Sequence, residues 1–155
     1  MRILFIIVTV ISILLTLLWT LDEVFVTTGI FDLAEQYYVS IPYYIFVGFS
    51  FWGSLGLLFA LVFRKQWGYP LALGLIWASI IFTTAFFAAG FFDETFMFKY
   101  MLTITPPADR DIDLLAEMYG TPVSRYPSVA GFIVSGAAYY FYLRLTRRNK
   151  DYFCY

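Results

Sequence analysis

The chain has 155 residues, 61% of them hydrophobic and 14% charged, with a formal net charge of −1. A water-soluble domain of this size has too little interior to hide so much apolar surface, so lipid must solvate much of this single domain. There is no histidine and one cysteine, Cys154. That excludes histidine-ligated haem, the common zinc sites, an internal disulfide and the usual proton-transfer side chain near neutral pH.

The run Ile3 to Leu21 carries no charge and is long enough to cross a bilayer at about 1.5 Å per residue. Arg2 ahead of it also fits a signal peptide, but no small-residue cleavage site precedes Asp22 and Glu23, so a retained first span is expected. Thr9, Ser12, Thr16 and Thr20 recur at steps of three or four and draw a weakly polar stripe down one face. Hydroxyls bonding back to their own helix, or to a neighbouring one, account for it. A polar pathway lining is the sharper alternative, though no ionisable group joins the stripe. Residues 22–41 form a first outer loop with Asp22, Glu23, Asp32 and Glu35 and no cation. Phe31, Ala34, Tyr37 and Tyr38 give it a short interfacial helix with one apolar face.

Pro42 opens the second span, Pro42 to Phe63, with Tyr43 and Tyr44 at the outer interface. Gly53, Gly56 and Ala60 leave room for close helix packing. Arg64-Lys65-Gln66-Trp67-Gly68-Tyr69-Pro70 then forms a short basic turn, whose cations keep it in the cytosol. The third span, Gly68 to Phe92, carries Gly74 and Ala78 as a small-xxx-small pair. Trp52 and Trp77 reach similar depths in spans two and three. They frame an apolar pocket as a candidate ligand site, or pack as plain core.

A second outer loop covers residues 93–126. Pro106-Pro107 before Asp109 marks a helix start and Gly120 before Pro122 its end, with Ile112, Leu115, Ala116 and Tyr119 on one amphipathic face. Asp109, Asp111 and Asp113 open like a calcium loop. Leu114 and Gly120 then stand where that loop needs glycine and glutamate, so no metal site is expected. The fourth span, Pro127 to Leu143, presents Ser128, Gly131, Ser135 and Ala138 as a seam for another helix. Arg144, Arg147, Arg148 and Lys150 follow it.

Threading follows from charge. Arg2, Arg64, Lys65, Arg144, Arg147, Arg148 and Lys150 lie inside with Asp151 as the single acid, whereas the outer loops hold ten acids against Lys99, Arg110 and Arg125. The expected fold is therefore an all-α integral membrane protein, a four-helix transmembrane bundle with both termini cytosolic and short amphipathic helices in its two outer loops. The order span, D-E-x-F, L-A-E-x-Y, proline, span occurs twice, at Asp22 and Leu33 and again at Asp93 and Leu115. It reads as a 2+2 internal repeat with parallel halves. Such a repeat gathers Glu23, Glu94, Glu35 and Glu117 around an outer vestibule, where carboxylates suit a cation or simply form a solvated acidic face.

Tyr37-Tyr38, Pro42, Gly53, Gly56 and Arg64-Lys65-x-Trp67-Gly68-Tyr69-Pro70-Leu71 resemble a family of small bacterial four-span inner-membrane proteins. Its members often read R-K-x-W-A-x-P-L between spans two and three, and some carry a loose sugar-transporter label. The similarity covers roughly residues 20 to 75, and its motif is structural. Gly68 replaces the usual alanine, and the loop before span four is longer than typical. The resemblance implies a multi-pass inner-membrane setting and no mechanism.

No G-x-S-x-G, H-E-x-x-H, phosphate-binding glycine loop or histidine-based triad occurs. Neither catalysis, a cofactor nor nucleic-acid binding is expected. The leading expectation is a non-catalytic accessory protein that meets the lipid bilayer and a second copy or another membrane protein through its small-residue seams. The alternative is a binder or carrier of a small apolar or amphipathic molecule near the outer face, held by Trp52, Trp77, Glu23 and Glu94.

Overall fold

An apolar run in lipid can direct its backbone N–H and C=O groups only back into itself, and a helix is the outcome. The computed structural model describes residues 2–27, 29–93, 95–105, 111–119 and 125–153, and all regular structure among them is helical. Helix α1 (Arg2–Asp22) continues into a π-helical turn, Glu23–Thr27; α2 (Gly29–Gln36), α3 (Ser40–Val62) and α4 (Gly68–Phe92) follow. Then come α5 (Phe96–Ile104), α6 (Ile112–Tyr119), α7 (Arg125–Arg148) and a 3-10 turn, Lys150–Phe153.

Three stretches are long and apolar enough to cross a membrane: Arg2–Phe25, Ser40–Val62 and Gly68–Phe92. Helix α7 is as long, at 24 residues, but its serines, glycines and tyrosines leave it less apolar than these three. Among the long helices, α1 packs on α3, α3 on α4 and α4 along α7, while α7 and α1 touch only sparsely. One core cluster, at the Arg64 end, holds Phe5, Leu57, Ala60, Ala72, Leu145 and Phe153. A second, at the Glu23 end, sets Ala34, Tyr43 and Val47 against Trp19, Phe46, Phe82 and Tyr100.

The connecting segments differ from the sequence expectation in three places. Helix α5 was expected as loop, yet it packs on α2 and α6. Among the described side chains of α2, Leu33 and Ala34 are buried, whereas Tyr38 is 95% exposed. Tyr38 lies beyond the helix, at φ 57. In α6 only Leu115 is buried and Ile112 faces outward. Pro106 to Arg110 and Gly120 to Ser124, which frame the expected α6 boundaries, lie outside the described residues.

Two helices end in the same way. The Val39 N–H donates to the Ala34 carbonyl and the Lys65 N–H to the Ala60 carbonyl, both at 2.9 Å. These six-to-one bonds leave Tyr38 and Arg64 left-handed, at φ 57 and 51, where glycine is the usual residue. The 3-10 turn docks beside the second of these ends. The Tyr152 hydroxyl donates to the Leu61 carbonyl at 3.0 Å, capping an acceptor that α3 cannot satisfy itself. The Arg64 guanidinium lies over the Tyr152 ring at 5.2 Å. Phe153 packs so close that a Cβ at Gly68 would lie 2.6 Å from its ring.

Candidate functional site

The small residues sit at contacts within the chain. Gly53 and Gly56 of α3 face Leu75 and Leu71 of α4, and Gly74 faces Phe49. Ala78 and Ser135 are half-buried. A Cβ at Gly131 would lie 2.5 Å from the Phe87 ring, so α7 meets α4 at this position, whereas Ala138 of the same seam is exposed. The two central tryptophans do not frame a pocket. Trp52 is 71% exposed and Trp77 49% exposed, and neither lines a cavity found between the helices. Both point to the rim of the bundle because the inward positions near them are held by Gly53, Ser54 and Ile76.

The space between the helices has a mainly apolar wall that carries a set of hydroxyl-bearing side chains. Ser12 and Thr16 of α1, Ser50 and Ser54 of α3, Ser79 of α4, and Tyr139 and Tyr142 of α7 line a cavity of about 250 Å³. Ile13, Leu15, Leu57, Leu75 and Ile76 complete the wall. Each helix supplies its hydroxyls at helical spacing, so one layer of turns from four elements brings seven of them together. Ser12, Ser50 and Ser79 fall near the midpoints of their helices. Ser50 and Ser54 are buried. The Thr16 hydroxyl donates to the Ser12 carbonyl at 2.8 Å and Thr20 to Leu17 at 3.0 Å, which is the local account expected for the α1 stripe. Between α4 and α7, the Thr83 and Tyr139 hydroxyls share a hydrogen bond of 2.9 Å. Leu15, at the rim, is 61% exposed, and the cavity is partly open.

Above this layer, toward Glu23, the rings of Phe46 and Phe82 stack with centroids 4.4 Å apart, and Trp19 lies 6.1 and 6.3 Å from them. One turn beyond, in the π-helical turn, Glu23 is only 2% exposed. Its carboxylate lies beside the Tyr43 and Tyr100 phenols. Burial, and then the Glu23 charge, push the Tyr100 phenol up. π-Helical turns widen a helix by one residue per turn and re-aim its side chains, and here one turns Glu23 inward. Glu94, the expected counterpart of Glu23, lies outside the described residues.

At the margin of this region Tyr37 donates a hydrogen bond to Asp93. Asp93 also accepts from the Thr95 N–H and hydroxyl, each at 2.8 Å, and Lys99 stands 3.9 Å away. The Tyr37 hydrogen bond holds the Asp93 carboxyl below its usual range. Burial and the same bond push the Tyr37 phenol up to about 12. Among the described residues no group of histidine, cysteine and acidic side chains is arranged to hold a metal ion.

Sequence reasoning found the α1 stripe but missed Ser50, Ser54 and Ser79. The signal was the Ser50-x-x-x-Ser54 spacing, which puts two hydroxyls on one face of an otherwise apolar helix. No protein-family model, no curated protein and no solved structure matches the chain.

Proposed function

We propose that this chain is a non-catalytic four-span inner-membrane protein, both termini cytosolic, that holds a small amphipathic molecule inside its bundle. The observation that carries this reading is the cavity of about 250 Å³ at the midpoints of the helices, lined by hydroxyls from α1, α3, α4 and α7. Lipid-facing bundles bury polar side chains where those side chains have something to bind or bond. The lining contains no carboxylate, amine or thiol, so it offers hydrogen bonds without a group to activate a nucleophile. The binding site of the alternative sequence reading thereby moves from the tryptophans and outer acids to the hydroxyl layer.

A fourth span is supported by the length of α7, 24 residues or about 36 Å, and by its packing along α4. The basic Arg64 end and the acidic far loops support the threading. The family resemblance supports the bacterial membrane setting. Descent from two fused halves is supported by α2 and α6, eight-residue helices that each bury the leucine of an L-A-E triplet.

The test is solvent extraction of the purified protein followed by mass spectrometry, comparing wild type with Ser50→Leu and Ser79→Leu. A molecule retained by wild type and lost from both filled variants is the expected result. Equal recovery from all three places any ligand elsewhere. Self-association is the second reading. It rests on the exposed face of α7, where Gly136 has nothing within 4 Å of its Cβ position and Ile133 and Tyr140 are also exposed. Cross-linking in membranes that is abolished by Gly136→Leu would favour it.

A further inference from the structure

We infer that the occupant of the hydroxyl-lined cavity is a neutral, oxygen-bearing lipophile that enters sideways from the bilayer between α1 and α7. This inference rests on reading the cavity as a binding site.

Three observations carry it. Along the bundle the cavity is flanked on both sides by packed apolar clusters. Trp19, Phe46 and the stacked Phe82 ring pack together on the side toward Glu23. Phe5, Leu145 and Phe153 fill the bundle toward Arg64, with the Phe5 and Phe153 rings edge to face at 5.9 Å. A solute from water on either side would have to displace a packed aromatic layer.

The side wall is different. Contacts between α1 and α7 are sparse, and Phe5 and Leu145 belong to the core cluster at the Arg64 end. Exposed Leu15 on α1 and half-buried Tyr139 on α7 both belong to the cavity wall. The way in is therefore lateral, past side chains that lipid tails already touch.

The lining sets the chemistry. Seven hydroxyl-bearing side chains, of which Thr16 and Tyr139 already bond within the protein, and five aliphatic ones can hydrogen-bond a carbonyl, ether or hydroxyl oxygen and enclose a hydrocarbon. A charged head has no counter-charge there, and burying one unpaired is strongly unfavourable. A volume of about 250 Å³ holds a group the size of about eight waters. That suits a ring or a short polar head whose tail remains in the gap.

The test is photolabelling of the full chain in phosphatidylcholine nanodiscs with a diazirine-bearing long-chain alcohol. A fatty acid of equal length, ionised at alkaline pH, serves as the charged control, and labelled peptides are read by mass spectrometry. The alcohol is expected to label the walls around Leu15, Ser79 and Tyr139, and about tenfold excess of unlabelled alcohol lowers that labelling about tenfold by mass action. Leu15→Trp, on the exposed rim, slows the labelling. Labels spread over outward positions such as Trp52, Ile81 and Phe141 without competition would overturn the inference, as would equal competition by the ionised fatty acid. A molecule recovered in the extraction test while the alcohol fails to label would remove this ligand class and leave the binding reading standing. Failure of both would remove the binding reading too.

Discussion

Tyr37 and Asp93 stand 56 positions apart in the chain, and their hydrogen bond ties the turn after α2 to the end of α4. The signs of its pH dependence follow from the two shifts. Asp93 is held below its ordinary 3.8, so its contribution is complete above that pH and is lost as pH falls through the lowered value. Tyr37 is raised from 10.0 to about 12, so its contribution is complete below pH 10 and is lost as pH rises through the raised value. Tyr37→Phe should flatten the thermal midpoint against pH at both extremes; an unchanged profile would show that the bond contributes nothing. Glu23 makes a sharper case. Glu23→Leu removes the buried carboxylate beside the Tyr43 and Tyr100 phenols and should cost about 1–3 kcal/mol. Glu23→Gln, which keeps an acceptor, should cost much less in the same unfolding measurement. Tyr38 is left-handed and almost fully exposed, so Tyr38→Gly relieves strain without losing a contact and should stabilise the protein by up to about 1 kcal/mol.

The helices themselves were largely legible in the chain. Three long runs free of charge specify α1, α3 and α4 because lipid permits few other backbone states. Proline in the first turns of α3 and α4, at Pro42 and Pro70, marks their starts. Helix α5 was missed because Phe96 to Ile104 carries apolar residues on most of its faces, so periodicity is silent there and Thr95 ahead of it was not read as a cap. The docking of Tyr152 and Phe153 was missed because it depends on Gly68 and Leu61, about 90 residues away in sequence, and on no local pattern. It is testable through Gly68. Gly68→Ala puts a methyl against Ala60 and Phe153 and should cost about 1–3 kcal/mol. That cost should shrink in a Phe153→Ala background, because the two sites share a contact. Equal costs in both backgrounds would mean that Ala60 alone opposes the methyl.

At the scale of the whole molecule, the chain displayed its hydrophobicity and its charge asymmetry, and the all-helical architecture with three apolar helices follows from them. The assembly of the cavity was not legible. Its walls come from four helices whose relative rotation is set by packing, and a rotation of one residue in any of them would carry a hydroxyl-bearing side chain away from the cavity. The Trp52 and Trp77 pocket illustrates the same limit. Depth could be counted along each run, but facing could not, and both side chains face outward. Threading is testable directly. Fusing a fluorescent reporter active only in the cytosol to either end should give signal in both cases; a dark C-terminal fusion would leave α7 outside the membrane or reverse it.

An occupied hydroxyl layer leaves a signature in the mass of the protein. Native mass spectrometry of the wild-type chain, released from nanodiscs formed directly from its own membrane, tests it most directly. The expected result is one discrete added mass per chain that survives progressive delipidation, is absent from Ser50→Leu, and belongs to an uncharged, oxygen-bearing molecule. A bare chain, or an adduct ladder identical in wild type and Ser50→Leu, would contradict it.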